Sequence, residues 1–154
     1  MGSDSQDKGI VGRAELVDLP ELHLMAVPAR VDTGALTSSI HCQDIEVVSS
    51  PDGSEHIRFT LLDPDHPEFT GTRLEAAEFT RKTIRSSFGE EQERFAIRTL
   101  VVLAGRRILT EFTLADRVGM SYSVLLGRRV LRGKFVVDVS IAGDSSRSEE
   151  DADT

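Results

Sequence analysis

Tryptophan and asparagine are absent from this 154-residue chain, and cysteine and tyrosine occur once each. Without asparagine there is no N-glycosylation sequon, and the single Cys42 has no internal disulfide partner. No run approaches the 18 or more apolar residues that cross a bilayer, and the opening MGSDSQDKG lacks the apolar stretch of a secretory signal. Gln6 stands where myristoylation after Gly2 needs Ser or Thr. Positive charge is also scarce: 18 Lys and Arg against 26 Asp and Glu leave −8, which argues against nucleic acid as a partner. These absences suit a protein of the reducing cytoplasm that partners neither a membrane nor nucleic acid.

What remains is enough for one domain, with 39% apolar residues and seven Phe to build a core. Residues 1–8 are polar, and 142–154 hold five acids against one Arg, so both ends are expected to be disordered and 9–141 to form the domain. Between them run short segments dense in Val, Ile, Leu, Phe and Thr, punctuated by Pro51-Asp52-Gly53, Asp63-Pro64-Asp65 and Ala104-Gly105-Arg106. The pattern predicts strands at 10–17, 24–32, 43–49, 55–62, 73–84, 94–103, 107–115, 122–126 and 134–139. The clearest hairpin is 96–114, with Gly105 free to take the positive φ of a tight turn. Only Arg128 to Gly133 reads as a helical turn.

Chemistry concentrates where an apolar strand ends in Asp32-Thr33-Gly34-Ala35. A carboxylate at a Gly-containing turn can face a reacting water, or it can simply accept backbone hydrogen bonds in an Asx turn. A second feature lies 95 residues on: Val124-Leu125-Leu126 stops at Gly127 and passes into Arg128 and a short turn ending at Leu131. Another acid, Asp138, ends an apolar strand and is expected to bond a neighbouring backbone or an Arg such as Arg128.

Asp32-Thr33-Gly34-Ala35 early and Leu125-Leu126-Gly127-Arg128 late resemble the retroviral-type aspartic proteases, the retropepsins. More narrowly, the chain resembles a bacterial branch often labelled ATP-dependent zinc proteases, found beside ATP-grasp glutamate ligases. The matching pieces also include Val11-Gly12-Arg13, Ala29-Arg30-Val31, Thr37-Ser38, Ile84-Arg85-Ser86-Ser87 with Gly89, Ile97-Arg98-Thr99, Thr113-Leu114 with Arg117, and Phe135-Val136-Val137-Asp138. Leu36 departs from the branch, whose members tend to carry a basic residue there.

The resemblance implies an all-β, retropepsin-like closed barrel with one short C-terminal helix. It also implies an aspartic endopeptidase, with Asp32, Thr33 and Gly34 catalytic. Two nearby carboxylates share one proton, one serving as base and the other as acid, as in pepsin and a retroviral protease. One Asp-Thr-Gly per chain makes a homodimer with an Asp32/Asp32′ dyad the simple arrangement. Ala35, Arg85, Ser86, Ser87, Phe88, Gly89, Leu126, Gly127 and Arg128 would contact a peptide substrate. The segment 81–98 is the expected flap, although an exposed hairpin with an acidic tip fits the same residues. Glu90, Glu91 and Glu93 would make the entrance under such a flap negative. An acidic substrate would then need Arg85, Arg94, Arg98 or Arg128 to compensate.

The zinc in the family label finds little support: no His-Glu-x-x-His occurs, and His23, His41, His56 and His66 are widely spaced. They read as surface histidines, with Cys42 small and buried. Neither phosphate-binding glycine motif is present, so no cofactor is expected and any ATP dependence would lie in a ligase partner. Two other readings stay open: a non-catalytic module serving an ATP-grasp ligase, and a zinc metallopeptidase.

Overall fold

Leu103 and Arg106 face each other across Ala104 and Gly105, whose φ values are +49° and +80°. Two positive φ values in a two-residue loop match the twist of the flanking strands. The chain therefore turns back on itself here, pairing β8 (Glu91–Leu103) with β9 (Arg106–Ala115). This is the hairpin the sequence predicts. The computed structural model describes residues 8–85, 88–117 and 119–142, with only the backbone of Ile84 and Arg85. The tails expected to be disordered fall outside it, Lys8 and Ala142 excepted.

Six strands close into a barrel. β2 (Ala14–Leu19) joins β8 to β3 (Leu24–Val31), and β10 (Val124–Leu126) lies beside β3. β4 (Ser38–Ser49) pairs with both β9 and β10, which completes the circuit β10, β3, β2, β8, β9, β4. So small a barrel is filled by side chains. Val17, Val27, Ala29, Ile40, Val101, Leu103, Phe112, Val124 and Leu126 are all fully buried within the single core cluster.

β4 serves two sheets. Its first half closes the barrel; its register then slips between Gln43 and Glu46, around Asp44 at φ +57°, and the remainder pairs with β5 (Glu55–Leu61) and, beyond it, β6 (Arg73–Ala76). Such a bulge bends a strand out of one sheet into another. β7 (Thr80–Arg85) pairs with β8 in the hairpin expected at 81–98, in register from Thr80 opposite Ala96 to Arg85 opposite Glu91. α1 (Arg128–Leu131) is the only α-helix among the described residues, and it packs Val130 and Leu131 inward. None of these residues forms a helix long and apolar enough to cross a membrane.

The largest departures from the expected strands are three. The segment 10–17 is broken at Gly12-Arg13 into β1 (Gly9–Val11) and β2, because β1 leaves the barrel to pair in parallel with β11 (Phe135–Val137). The segment 73–84 is two strands, β6 and β7, on different partners. β4 begins at Ser38 rather than 43: the polar Ser38 and His41 are buried here, 2% and 1% exposed.

Candidate active site

Asp32 follows directly on β3, and its backbone N–H donates to the Leu126 carbonyl at 2.8 Å. That bond continues the parallel register in which Leu126 lies beside Val31. On its other side β10 runs antiparallel to β4, Leu125 opposite Ser39. β10 is thus wedged between the two strands that the Asp32 loop connects. Parallel pairing of these segments needs a long crossover, here the whole of β4 to β9.

The turn after β10 then clasps the loop. Arg128 N–H donates to Ala35 O at 2.8 Å, Arg129 N–H to Leu36 O at 3.1 Å, and the Arg128 guanidinium to Thr33 O at 3.1 Å. Gly127 N–H donates to the buried Ser38 Oγ at 3.0 Å. Glycine is needed at 127 because the backbones touch: a Cβ would fall 2.4 Å from Thr37 O. Within the loop, Gly34 N–H donates to Asp32 Oδ1 at 2.9 Å, and Ala35 N–H to Asp32 O at 3.2 Å. This is an Asx turn that occupies one carboxylate oxygen. A Cβ on Gly34 would lie 3.2 Å from that same oxygen.

Charge gathers on the outer face. Ala29 and Val31 point into the core, so by alternation Arg30 and Asp32 face the other way. Arg30 lies beside Leu125, and Leu125 beside Ser39, in one row across β3, β10 and β4. Arg117, from the β9 to β10 loop, reaches this row with Nη1 3.5 Å from Ser39 Oγ and with Nε donating to Tyr122 O at 3.2 Å. Burial lowers the pKa of the Arg117 guanidinium below its ordinary value, the neighbouring Arg30 charge adds to the lowering, and Asp32 opposes it. An arginine nonetheless stays charged.

Asp32, Thr33, Gly34 and Ala35 come together with Leu126, Gly127 and Arg128. Phe88 and Gly89 lie at the tip of the β7 to β8 hairpin, where Phe88 is 91% exposed and Gly89 has φ +85°. Ser86, Ser87 and the Arg85 side chain lie outside the described residues. Leu126, expected to touch substrate, is fully buried and contributes its carbonyl; its neighbour Leu125 faces outward, half-buried.

The sequence of residues 10–144 matches the RimB-like family, described as retropepsin-like aspartic endopeptidase RimB. The chain belongs to this family. Curated relatives named probable alpha-L-glutamate ligase carry a stretch similar to this chain. That of Shewanella pealeana is 36% identical over 136 residues, and that of Desulfotalea psychrophila 34% over 139. These alignments take in 88% and 89% of this chain, which spans 30% of the length of either ligase. The RimB-like fold recurs in the crystal structure of a Legionella pneumophila protein of unknown function, at TM-score 0.68 and 23% identity, covering 88% of this chain and 96% of that one.

Sequence reasoning missed Arg30, Arg117 and His41 as site residues of this RimB-like chain. Arg30 and Arg117 lie within the matching motifs, but the strand register of Arg30 and the contacts of Arg117 with Ser39 and Tyr122 are what bring them to the face of Asp32. Of the arginines expected to offset an acidic substrate, Arg128 binds the loop carbonyl, Arg94 donates to Gln92, Arg98 lines a cavity of about 380 Å³ with Arg129, Thr37 and Glu111, and the Arg85 side chain lies outside the described residues. His41 is buried, against the expectation of a surface histidine, because the barrel closes over it. Asp138, expected to bond a neighbouring backbone or an Arg such as Arg128, accepts from Ser140 N–H, the backbone alternative, and from Ser140 Oγ–H as well. Among the described residues no three His, Cys, Asp or Glu side chains form a group that could hold a metal.

Proposed function

We propose that this chain is an aspartic endopeptidase whose active unit is a homodimer, with Asp32 of each copy supplying half of a carboxylate dyad. One observation carries the reading: the Asp32 carboxylate is fixed through Oδ1 by Gly34 N–H, in a loop clasped by Gly127 and Arg128 and open at Thr33 and Gly34. The facing copy would bring the second carboxylate. A shared proton leaves one group as base, taking a proton from a water held between them, and the other as acid toward the departing amine. The water attacks the peptide carbonyl directly, so no covalent intermediate forms. Thr33 would bond across the two-fold axis, and the β7 to β8 hairpin would cover the substrate as a flap.

An exposed apolar patch supports the dimer. Ile10 and Val136 lie side by side on β1 and β11, 62% and 49% exposed, with Val139 and Ile141 nearby at 71% and 41%. This patch adjoins the site through Arg13, whose N–H donates to Ile141 O and whose carbonyl accepts from Val31 N–H. Apolar groups so exposed mark an interface. Arg30 and Arg117 on the face of Asp32 favour acidic peptides, and relatives named as glutamate ligases suggest glutamate-bearing ones.

Asp32→Asn tests the reading on a glutamate-rich peptide. Cleavage should vanish while the dimer mass and melting temperature hold; a variant that still cleaves would end the proposal. The ligase relatives favour a second reading, a non-catalytic module of an ATP-grasp ligase system. Under it the wild type cleaves nothing and instead co-purifies with the ligase.

A further inference from the structure

His41 lies on β4, one residue beyond Ile40, and is 1% exposed. Its Nδ1 accepts the Arg117 backbone N–H at 2.7 Å. A nitrogen that accepts carries no proton, so the ring is neutral and its hydrogen sits on Nε2. Among the described residues Nε2 has no hydrogen-bond partner. Asp116 Oδ1 stands 3.8 Å from Nδ1, but a neutral acceptor nitrogen facing a carboxylate is not an ion pair. The ring therefore tolerates an unsatisfied buried donor, which costs stability, while its other nitrogen grips the backbone of one residue. The main chain of β4 is itself fixed on both sides of the ring: His41 N–H donates to Ser123 O at 2.8 Å, and His41 O accepts from Leu62 N–H at 3.0 Å.

The residue so gripped is Arg117. Its guanidinium bends back over the Ser39, Leu125 and Arg30 row on the face that bears Asp32. We propose that His41 is a positioning residue for the substrate cleft, holding Arg117 in place beside Asp32 through an unprotonated Nδ1. A merely space-filling side chain at 41 would keep the core packed yet let the β9 to β10 loop drift. The guanidinium would then no longer be pre-placed for a substrate carboxylate, a loss that falls on binding of acidic peptides and not on the chemical step. The inference rests on the peptidase reading for its kinetic consequence but not for its geometry.

The test compares KM and kcat for a glutamate-rich peptide and its glutamine counterpart, using the full-length wild type, Arg117→Gln, His41→Leu and His41→Asn. Arg117→Gln and His41→Leu should each raise KM for the acidic peptide about tenfold, with kcat within about twofold and the glutamine peptide nearly unaffected. His41→Asn, whose amide oxygen can reach the place of Nδ1, should restore KM to within about twofold of wild type. Equal losses on both peptides, or His41→Asn as impaired as His41→Leu, would overturn the proposal. A second measurement needs neither a variant nor cleavage: nitrogen NMR of the wild-type imidazole should show hydrogen on Nε2 and a coupling through the hydrogen bond from the Arg117 amide to Nδ1. Hydrogen on Nδ1 would refute the role of His41. An absence of all peptide cleavage would remove the peptidase reading, and this spectrum alone would then decide whether His41 holds Arg117.

Discussion

Gly127 and Thr37 meet backbone to backbone, so closely that a single methyl group at 127 would lie 2.4 Å from one Thr37 atom, the carbonyl oxygen, and 2.7 Å from another. Both sides are main chain, so neither can swing away. Gly127→Ala should therefore push the Asp32 loop off β10 and lower stability by about 3 kcal/mol, a fall in Tm of roughly 6–12 °C. Thermal unfolding followed by circular dichroism checks this, and an unchanged melting curve would contradict the contact.

The Ser38 hydroxyl accepts the Gly127 N–H in a buried setting. Removing the acceptor leaves a buried donor unsatisfied. Ser38→Ala should cost about 1–3 kcal/mol in urea unfolding, whereas Ser39→Ala, on the outer face, should cost less than about 1 kcal/mol.

If Asp32 pairs with its symmetry mate, the dyad works with one proton between two carboxylates. The pH profile of kcat/KM should then be bell-shaped and fall on the alkaline side as both carboxylates ionise. A rate still climbing above neutrality would count against the mechanism.

Ile10 and Val136 sit opposite each other in register with their side chains exposed. Val136→Asp should convert a dimer to a monomer in sedimentation and remove peptide cleavage with it. A cleaving monomer would break the link between assembly and activity.

Burial raises the pKa of the Cys42 thiol from its ordinary value of 9.0 to about 12. The native thiol should react with disulfide reagents at pH 8 far more slowly than the urea-unfolded chain. The sign for stability follows. The unfolded state sheds this proton above about pH 9 while the native state keeps it, so the contribution is whole below pH 9 and lost as pH climbs toward 12, by about 1.4 kcal/mol per pH unit. Cys42→Ala should flatten that alkaline slope.

Local chemistry made much of this readable. The Ala104-Gly105 turn with its alternating arms, the 81–98 hairpin and the helical turn after Gly127 each follow from neighbours in sequence, and so they appear where expected. The start of β4 was hidden because Ser38, Ser39 and His41 look like loop residues. They become strand only when β9 and β10 flank them. The parting of β1 from β2 likewise depends on a distant partner, β11. The Asp32 loop was marked by its own tripeptide, but the company it keeps was not: Arg30 and Arg117 are 87 residues apart in sequence, and a closed barrel is what sets them on one face.

The clasp of β1 against β11 places Gly9 beside Phe135, and Arg13 N–H bonds Ile141 O, so the two end segments of the described chain run alongside each other in parallel. Each of these two strands is the other's sole partner in their sheet, so cutting either end short should loosen both ends together and leave the six barrel strands paired.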